Sequence, residues 1–222
     1  MFTIPRTLAA LTLAAAAAGA QAQLAFTEVA PWSSGNSPVS ADWFEITNFG
    51  SEAVDLTGFR IDDGSNNFAA SVALAGVTSL APGQSAVFIE GSAPNANFVS
   101  TWFGANAPAG LLLGNYSGSG IGLSTSGDAL NLYTAAGMLL TRVDFGASPA
   151  SAPYATFDNA AGASGVTLGA LSVVGLNGAF VAAAGGEIGS PGTVGVVPEP
   201  GTWALMLAGL AAVGRLARRR SA

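Results

Sequence analysis

The sequence predicts an all-β sandwich, and three observations lead to that fold class. Short apolar runs recur at close spacing between residues 23 and 192, and clusters of Gly, Pro, Ser, Asn and Asp separate them. Several of these runs alternate apolar with polar residues, which is the period of a strand with one buried face. Long segments of helical periodicity do not come between them, so a sandwich is favoured over an alternating α/β fold.

The individual strands follow from local patterns. "DWFEITN" places Phe44 and Ile46 on one face, and Trp43, Glu45 and Thr47 on the other. After the turn residues "FGSEA", "AVDLTGFRID" is predicted as the next strand and "DDGSNN" as a turn. A Pro-Gly turn precedes the strand in "PGQSAVFIE", and "GDALNLYTAAGMLLTRVDFG" is predicted as a hairpin joined at "TAAG".

Two further elements complete the expected domain. "SAPNANFVSTWFG" indicates a short helix, with Ser92 or Asn95 as its cap and Gly104 at its end. Phe98 and Trp102 lie four residues apart, so both aromatic rings can pack onto the sandwich, and a ligand platform remains an alternative. The stretch at residues 180–181 is predicted to supply a final strand.

The composition excludes several classes of chemistry. The 222 residues include no Cys and no His, and all seven basic residues are Arg. The chain therefore lacks the side chains of a thiolate zinc site, a Ser-His-Asp triad or a Schiff-base lysine. We expect a protein that is not an enzyme and that has no cofactor and no bound metal.

The charge is segregated along the chain. Between residues 23 and 197 two arginines stand against twelve Asp and Glu, which gives this part a net charge of about −10. Such a surface repels phosphate backbones, so nucleic acid is not an expected partner. An anionic surface of this kind is typical of a secreted protein.

The N-terminal residues 1–22 have the order of a secretory signal peptide. One early arginine precedes an apolar, Ala-rich stretch, and the small residues Ala20 and Ala22 follow it in an A-x-A arrangement. We expect a signal helix here, cleaved before Gln23, with signal peptidase and the export machinery as partners. The stretch is short and leads directly into the cleavage site, which favours a signal over a membrane helix.

The C-terminal residues 198–222 combine three features. Pro198, Glu199 and Pro200 stand first, and an uncharged run from Gly201 to Gly214 follows. The basic residues that flank the run are Arg215, Arg218, Arg219 and Arg220. Because Arg215 can reach the interface, a single hydrophobic helix up to Ala217 would just span a bilayer, with the Arg cluster in the cytoplasm.

This order resembles the PEP-CTERM sorting signal of Gram-negative bacteria. The resemblance implies recognition by an exosortase, a membrane protease or transpeptidase, with cleavage near the motif. It also implies a transient anchor in the inner membrane, and then a place on the cell surface or in the extracellular matrix, where exopolysaccharide or surface proteins would be neighbours. A permanent anchor is the alternative.

The order of the body resembles the lamin-tail domain, an immunoglobulin-like β-sandwich. The residues that carry the resemblance are "FTEVAPW", "ADWFEITNFGSEAVDLTGFRIDDGSNN", "PGQSAVFI", the stretch from "FVSTWFG" to "TRVDFG", and a closing "GSPG". The likeness is weakest at residues 147–186. The expected organisation is a signal peptide at 1–22, the lamin-tail-like domain at 23–192, a linker at 193–197 and the sorting signal at 198–222.

Candidate binding or catalytic residues in the body are few. Asp62 and Asp63, with Asn66 and Asn67, could offer oxygens to Ca²⁺, but an Asp-Gly turn explains the same residues. Glu45 and Asp42 flank a tryptophan, and Glu45 is expected on a solvated face. In "NYSGSG" the glycines permit tight turns, and Asn115 forms an N-x-S sequon.

Three hypotheses about function follow. The first is an exported, non-enzymatic surface or matrix protein with a structural or adhesive role. The second is a carbohydrate- or calcium-binding module that uses the turn at residues 62–67 and an exposed aromatic such as Trp32 or Trp102. The third is a small hydrolase built on carboxylates, with Glu45 as the residue to test.

Overall fold

The structure is a computed structural model that describes residues 24–31, 39, 41–91, 96–149, 151 and 153–193. These residues form strands and one short helix, which confirms the predicted all-β fold class. The N-terminal signal helix and the C-terminal hydrophobic helix fall outside the described residues. Within the described ranges, no helix has the length and apolar content that crossing a membrane requires.

Fifteen strands and one helix make up the described residues. In chain order they are β1 (Leu24–Ala30), β2 (Trp43–Asn48), β3 (Val54–Asp55), β4 (Arg60–Asp62), β5 (Val72–Ala75), β6 (Ser79–Leu80), β7 (Ser85–Glu90), α1 (Ala96–Phe103), β8 (Leu112–Tyr116), β9 (Asp128–Tyr133), β10 (Leu139–Phe145), β11 (Tyr154–Ala155), β12 (Phe157–Asp158), β13 (Val166–Leu168), β14 (Phe180–Val181) and β15 (Glu187–Gly189).

Ten strands form one continuous sheet that folds over on itself. Its order is β12-β1-β2-β7-β8-β5-β4-β9-β10-β13, with a three-stranded sheet β11-β15-β14 and the pair β3-β6 beside it. Strands from opposite ends of the large sheet approach each other, since the ring of Phe157 in β12 lies 5.4 Å from the ring of Phe145 in β10, the strand next to the other edge. The sheet thus encloses the main core, whose large members include Phe26, Phe44 and Phe88.

The predicted strand and hairpin in the central sequence are confirmed. Phe44 and Ile46 of β2 point into the main core, while Trp43 belongs to a second apolar cluster on the opposite face. Strands β9 and β10 form an antiparallel hairpin, and its turn is closed by hydrogen bonds between Thr134 and Met138. These patterns were readable because each strand contacts its sequence neighbour.

One prediction was wrong in detail, because "AVDLTGFRID" is two short strands and not one. A turn separates β3 from β4: the Phe59 amide donates to the Leu56 carbonyl over 2.9 Å. Gly58 adopts φ +77° there, a conformation that costs a glycine little, and it lies close to Ala135. The turn moves β4 into the large sheet while β3 pairs only with β6.

The predicted helix is confirmed as α1. It ends at Gly104, whose φ of +58° is typical of a helix C-terminus. The candidate cap residues Ser92 and Asn95 lie outside the described residues. Phe98 and Trp102 are both buried against the sheet, so they fill a core as the first interpretation required.

The last strand differs from the prediction. Phe180 and Val181 do form a strand, β14, but β15 follows it in the chain. β15 lies between β11 and β14, with Tyr154 opposite Glu187 and Val181 opposite Ile188. The segment beyond residue 147 therefore adds β12 and β13 to the two edges of the large sheet and forms the three-stranded sheet from β11, β15 and β14.

Candidate functional site

The outer face of β2 and β7 divides into an aromatic half and a polar half. Trp43 and Ile89 belong to the aromatic half, which α1 covers, and Glu45 is central to the polar half. We call the polar half the carboxyl cluster. It consists of Thr27, Glu28, Glu45, Thr47 and Ser85 from the sheet, together with Thr156, Ser172, Ser190 and Gly192 from the segment that covers them.

Glu28 reaches the carboxyl cluster because β1 contains a bulge. The register against β2 shifts between Phe26 and Glu28, and Glu28 comes to lie opposite Glu45. Phe26 and Val29 both point into the main core although they are three residues apart, so the two residues between them face outward. Strict alternation would have turned Glu28 into the main core.

Glu45 accepts a hydroxyl on one oxygen and a backbone amide on the other. Thr27 Oγ1 donates to Glu45 Oε1, and Gly192 N donates to Glu45 Oε2, each over 2.6 Å. Thr27 Oγ1 also lies 2.9 Å from Thr47 Oγ1, which in turn lies 2.6 Å from Ser85 Oγ. The hydroxyls thus link β1, β2 and β7 into one hydrogen-bonded row.

Glu28 is bound by donors from the later part of the described domain. Thr156 Oγ1 donates to Glu28 Oε1 over 2.5 Å, and the Ser190 amide donates to the same oxygen over 2.8 Å. Ser190 Oγ lies 3.3 Å from Glu28 Oε2, and Thr156 Oγ1 lies 2.7 Å from Ser172 Oγ. The beginning and the end of the described domain therefore meet at this carboxyl group.

The end of the described chain lies directly on the two carboxyl groups. Ser190 and Gly192, two positions apart, each give one backbone amide to a different carboxyl. Gly189 fits against Glu28 and Trp102 because it has no side chain: a Cβ there would collide with Glu28 Oε1 and come within 2.9 Å of Trp102 Cη2. Residues 189–192 are thus fastened across both halves of the outer face.

Burial raises the pKa of both carboxyl groups into the neutral range. Removal from water raises the pKa of Glu28 to about 8, with a further contribution from the charge of Glu45, against smaller opposing hydrogen bonds. Burial likewise raises the pKa of Glu45 to about 7, opposed by the hydrogen bonds from Thr27 and Gly192. At neutral pH both groups therefore hold more of their protons than exposed carboxyl groups do.

The carboxyl cluster is closed to substrates in spite of these pKa values. Glu28 is 0% exposed and Glu45 is 1% exposed, and each of their oxygens already faces a protein donor. A general acid has to come within hydrogen-bond distance of its substrate. The prediction of a solvated face for Glu45 was wrong, because alternation gives the face but not the segment that covers it.

The other candidate carboxylates serve the turns and loops of the domain. Asp42 is buried, and its Oδ2 accepts the Leu123 amide over 2.8 Å. Asp62 Oδ2 accepts the Ser65 hydroxyl over 2.8 Å and the Asn67 amide over 2.6 Å. Asp63 Oδ1 accepts the Ser65 amide, and Asn66 has φ +48°, so residues 62–67 form the turn that the sequence predicted.

Two other candidate residues are engaged inside the domain. Trp102 is 1% exposed, and its ring lies 5.4 Å from Trp43 and 5.8 Å from Phe180, both edge to face. Trp102 therefore fills the core as the first interpretation predicted, and the alternative of an exposed ligand platform was wrong. Asn115 of the sequon is also buried, and its Nδ2 donates to the Gly91 carbonyl. Trp32, the other aromatic candidate, lies outside the described residues.

No group of three or more Asp, Glu, His or Cys within the described ranges is arranged to hold a metal ion. The predicted targeting residues all lie outside those ranges. They are Ala20 and Ala22 of the signal, Pro198, Glu199 and Pro200 of the motif, and the flanking Arg215, Arg218, Arg219 and Arg220. Their roles remain predictions from the sequence.

These features define a class of protein: a folded-over β-sandwich whose buried carboxyl groups fasten residues 189–192 at the end of the described domain. The lamin tail domain family model matches residues 17–147, more than half of the chain, and the chain belongs to that family. The PEP-CTERM protein-sorting motif matches residues 196–221. No curated protein and no solved structure matches the chain.

The two matches confirm both resemblances seen in the sequence. The PEP-CTERM motif indicates export, processing at a membrane and recognition by an exosortase. Neither family is a catalytic one. The lamin-tail match ends at residue 147, so most of the residues that cover the carboxyl cluster belong to a part of the chain that this family model does not describe.

Proposed function

We propose that this chain is a non-enzymatic protein of the cell surface or extracellular matrix of a Gram-negative bacterium, with a structural or adhesive role. Signal peptidase would remove residues 1–22 during export. Residues 201–217 would hold the chain in the inner membrane until an exosortase processes it near Pro198–Pro200. Exopolysaccharide or neighbouring surface proteins would be its final partners.

The position of the sorting motif behind a finished domain carries the proposal. Within the part of the chain that the structure describes, Ser190 and Gly192 are the last residues that donate to the carboxyl groups of the sheet, and the motif match begins at residue 196. Cleavage near the motif would consequently remove no residue on which the described fold depends. This arrangement is what a removable signal requires.

The proposed structural role is supported by what the polar side chains do. Glu28 and Glu45 fasten the C-terminal segment, and Asp62 and Asp63 build a turn. The remaining surface is rich in Ser, Thr, Asn and backbone turns and carries a net negative charge. Hydroxyl and amide groups of this kind can hydrogen-bond to polysaccharide hydroxyls without any catalytic group.

Intact-mass measurement of the protein from its native host tests the proposal. In cells with an exosortase, we expect a surface or matrix protein that begins at Gln23 and lacks the residues after the motif. In cells without the exosortase, the inner-membrane fraction should hold a chain that still ends at Ala222. Mature surface protein that retains residues 203–222 would contradict the sorting proposal.

Matched proline variants separate the motif from general effects of proline. Replacing Pro198 and Pro200 by Ala should leave the unprocessed mass in the membrane. The control Pro82→Ala alters a proline in an exposed turn far from the motif in sequence, and it should be processed normally.

Deletion of the whole chain should weaken cell attachment or the extracellular polymer, and unchanged attachment and polymer would count against the proposed role.

A further inference from the structure

A short apolar turn lies beside the point where the chain leaves the described domain. Val173, Val174 and Leu176 have 57%, 54% and 55% of their surface exposed. We call residues 173–179 the apolar turn. Val181, in the strand that follows it, is also more than half exposed. Single exposed apolar residues are ordinary, but three large ones within four positions form a patch that needs a reason.

The apolar turn is held in one shape by its own hydrogen bonds. The Leu176 amide donates to the Val173 carbonyl over 2.9 Å, and the Ala179 amide donates to the Leu176 carbonyl over 2.8 Å. At its base, Asn177 Nδ2 donates to Asp158 Oδ2 over 2.7 Å. The apolar side chains are therefore presented to the outside by a closed backbone.

The apolar turn lies beside Thr193, which precedes the sorting motif by a few residues in the sequence. Thr193, the last described residue, packs against Gly178, where an added Cβ would lie 3.1 Å from the Thr193 Cβ. From Thr193 to Pro198 the chain has five residue steps, which span roughly 18 Å at most. The chain can therefore enter the membrane only near the apolar turn.

The segment that carries the apolar turn has few charged residues, which favours its approach to lipid. Residues 151–193 contain no basic residue and only two acids, Asp158 and Glu187, and Glu187 is buried. The other ten of the twelve acids between residues 23 and 197 lie elsewhere along the chain. An anionic protein meets the least repulsion from anionic lipids where its own charge is sparse.

We propose that the apolar turn is a membrane-contact surface. In the anchored precursor, Val173, Val174 and Leu176 enter the interfacial layer of the bilayer and hold the domain in one orientation beside its sorting motif. The inference rests on the proposed sorting through the inner membrane, and its occupant is the lipid bilayer itself.

Single-cysteine labelling tests this contact without background, because the chain has no Cys of its own. The full chain carrying Val174→Cys is labelled with an environment-sensitive fluorophore and reconstituted in phosphatidylethanolamine–phosphatidylglycerol vesicles. Met138→Cys is the matched control, since Met138 is 60% exposed in the β9–β10 turn. The parallel pairing of β10 with β13 leads the chain away from that turn toward residue 171, about 20 Å along the sheet.

The expected result is a blue-shifted emission at position 174 and quenching by lipid-borne quenchers, with neither effect at position 138. Adding Leu176→Asp should return the label at position 174 to water while the chain still floats with the vesicles. Vesicle-bound chain with both labels in water would overturn the contact and leave the proposed anchoring in place. A chain that does not float with vesicles would contradict the anchoring itself and this inference with it.

Other occupants of the apolar turn give different results. A label at position 174 that is shielded without vesicles, increasingly so at higher protein concentration, would assign the patch to a second copy and overturn the membrane contact. Equal quenching at positions 138 and 174 would show that the domain has no preferred orientation and would also overturn it.

Discussion

The two halves of the outer face are built on the same strands, but aromatic packing stabilises one half and hydrogen bonds to buried carboxyl groups stabilise the other. The aromatic half buries Trp43, Phe98 and Trp102, whose rings meet edge to face or tilted at centroid distances of 5.4–6.1 Å. The polar half buries Glu28 and Glu45 in a row of hydroxyls and amides. The difference teaches that one sheet face can carry a pH-independent contact and a pH-dependent contact side by side.

The segments that cover the two halves also differ in whether they lie within the lamin-tail match. α1, which covers the aromatic half, lies within the lamin-tail match, whereas Thr156, Ser190 and Gly192 lie beyond it. Backbone amides of Ala183 and Ala184 donate to carbonyls of the last turn of α1, so the later segment also supports the helix. The segment beyond residue 147 therefore contacts both the aromatic half and the polar half of the outer face.

The largest effect is expected from the aromatic half. Trp102→Ala should lower the free energy of unfolding by about 3–5 kcal/mol, because it removes a buried ring that contacts Trp43, Phe98 and Phe180. Urea unfolding at pH 5 and pH 8 measures it, and the loss should be equal at both. Trp102→Phe is the control and should cost less. A loss that changes with pH would break the division into two halves.

The second prediction concerns the pH dependence of the polar half. The pKa values of about 8 and 7 in the folded protein lie above the ordinary glutamate pKa of 4.5, so the folded state holds protons that the unfolded state has released. The part of the free energy of unfolding that depends on these protons is fully present below pH 4.5 and is lost as the pH rises through 7 and 8. The steepest loss is about 1.4 kcal/mol per pH unit for each carboxyl group.

Glutamine variants sharpen this prediction. Glu28→Gln should remove one of the two titrations, and the double variant with Glu45→Gln should unfold with nearly constant free energy between pH 5 and pH 8. The double variant should also be the more stable protein at pH 8, because it has no charge to bury. If the free energy of unfolding of the wild-type chain does not fall between pH 5 and pH 8, the predicted pH dependence is wrong. If the double variant shows the same fall as the wild type, Glu28 and Glu45 are not its cause.

The smallest effect is expected where the two halves meet. Gly189→Ala places a Cβ against Glu28 Oε1 and Trp102 Cη2, and it should cost about 1–3 kcal/mol by forcing the C-terminal segment away. Gly169→Ala is the matched control, since an added Cβ there meets nothing within 4 Å. Thermal unfolding of the two variants gives the comparison, and equal midpoints would show that Gly189 has room to spare.

The elements that the sequence predicted are those whose partners are near in sequence or whose period is regular. β2, β7, the β9–β10 hairpin and α1 each have a local pattern that matches their structure. The strands beyond residue 147 have two or three residues each, too few to show a period. Their identity depends on contacts with distant residues, which a local pattern does not contain.

The carboxyl cluster was missed for two physical reasons. The bulge in β1 turns Glu28 outward, and its only local trace is the three-residue spacing between the apolar Phe26 and Val29. The cover over Glu45 comes from Gly192, 147 positions later in the chain. Alternation therefore placed Glu45 opposite Phe44 correctly but gave no sign of its burial.

The bond between Ser190 and Glu28 joins residues 162 positions apart, so it has a consequence for the order of folding. This bond cannot form before residue 190 has been synthesised, and closing so long a loop costs chain entropy. Glu28 in β1 therefore lacks the Ser190 amide until nearly the entire domain has been synthesised. A ribosome-stalled or truncated chain that stops before residue 190 would expose two acids and a row of hydroxyls, a clear mark of an unfinished product.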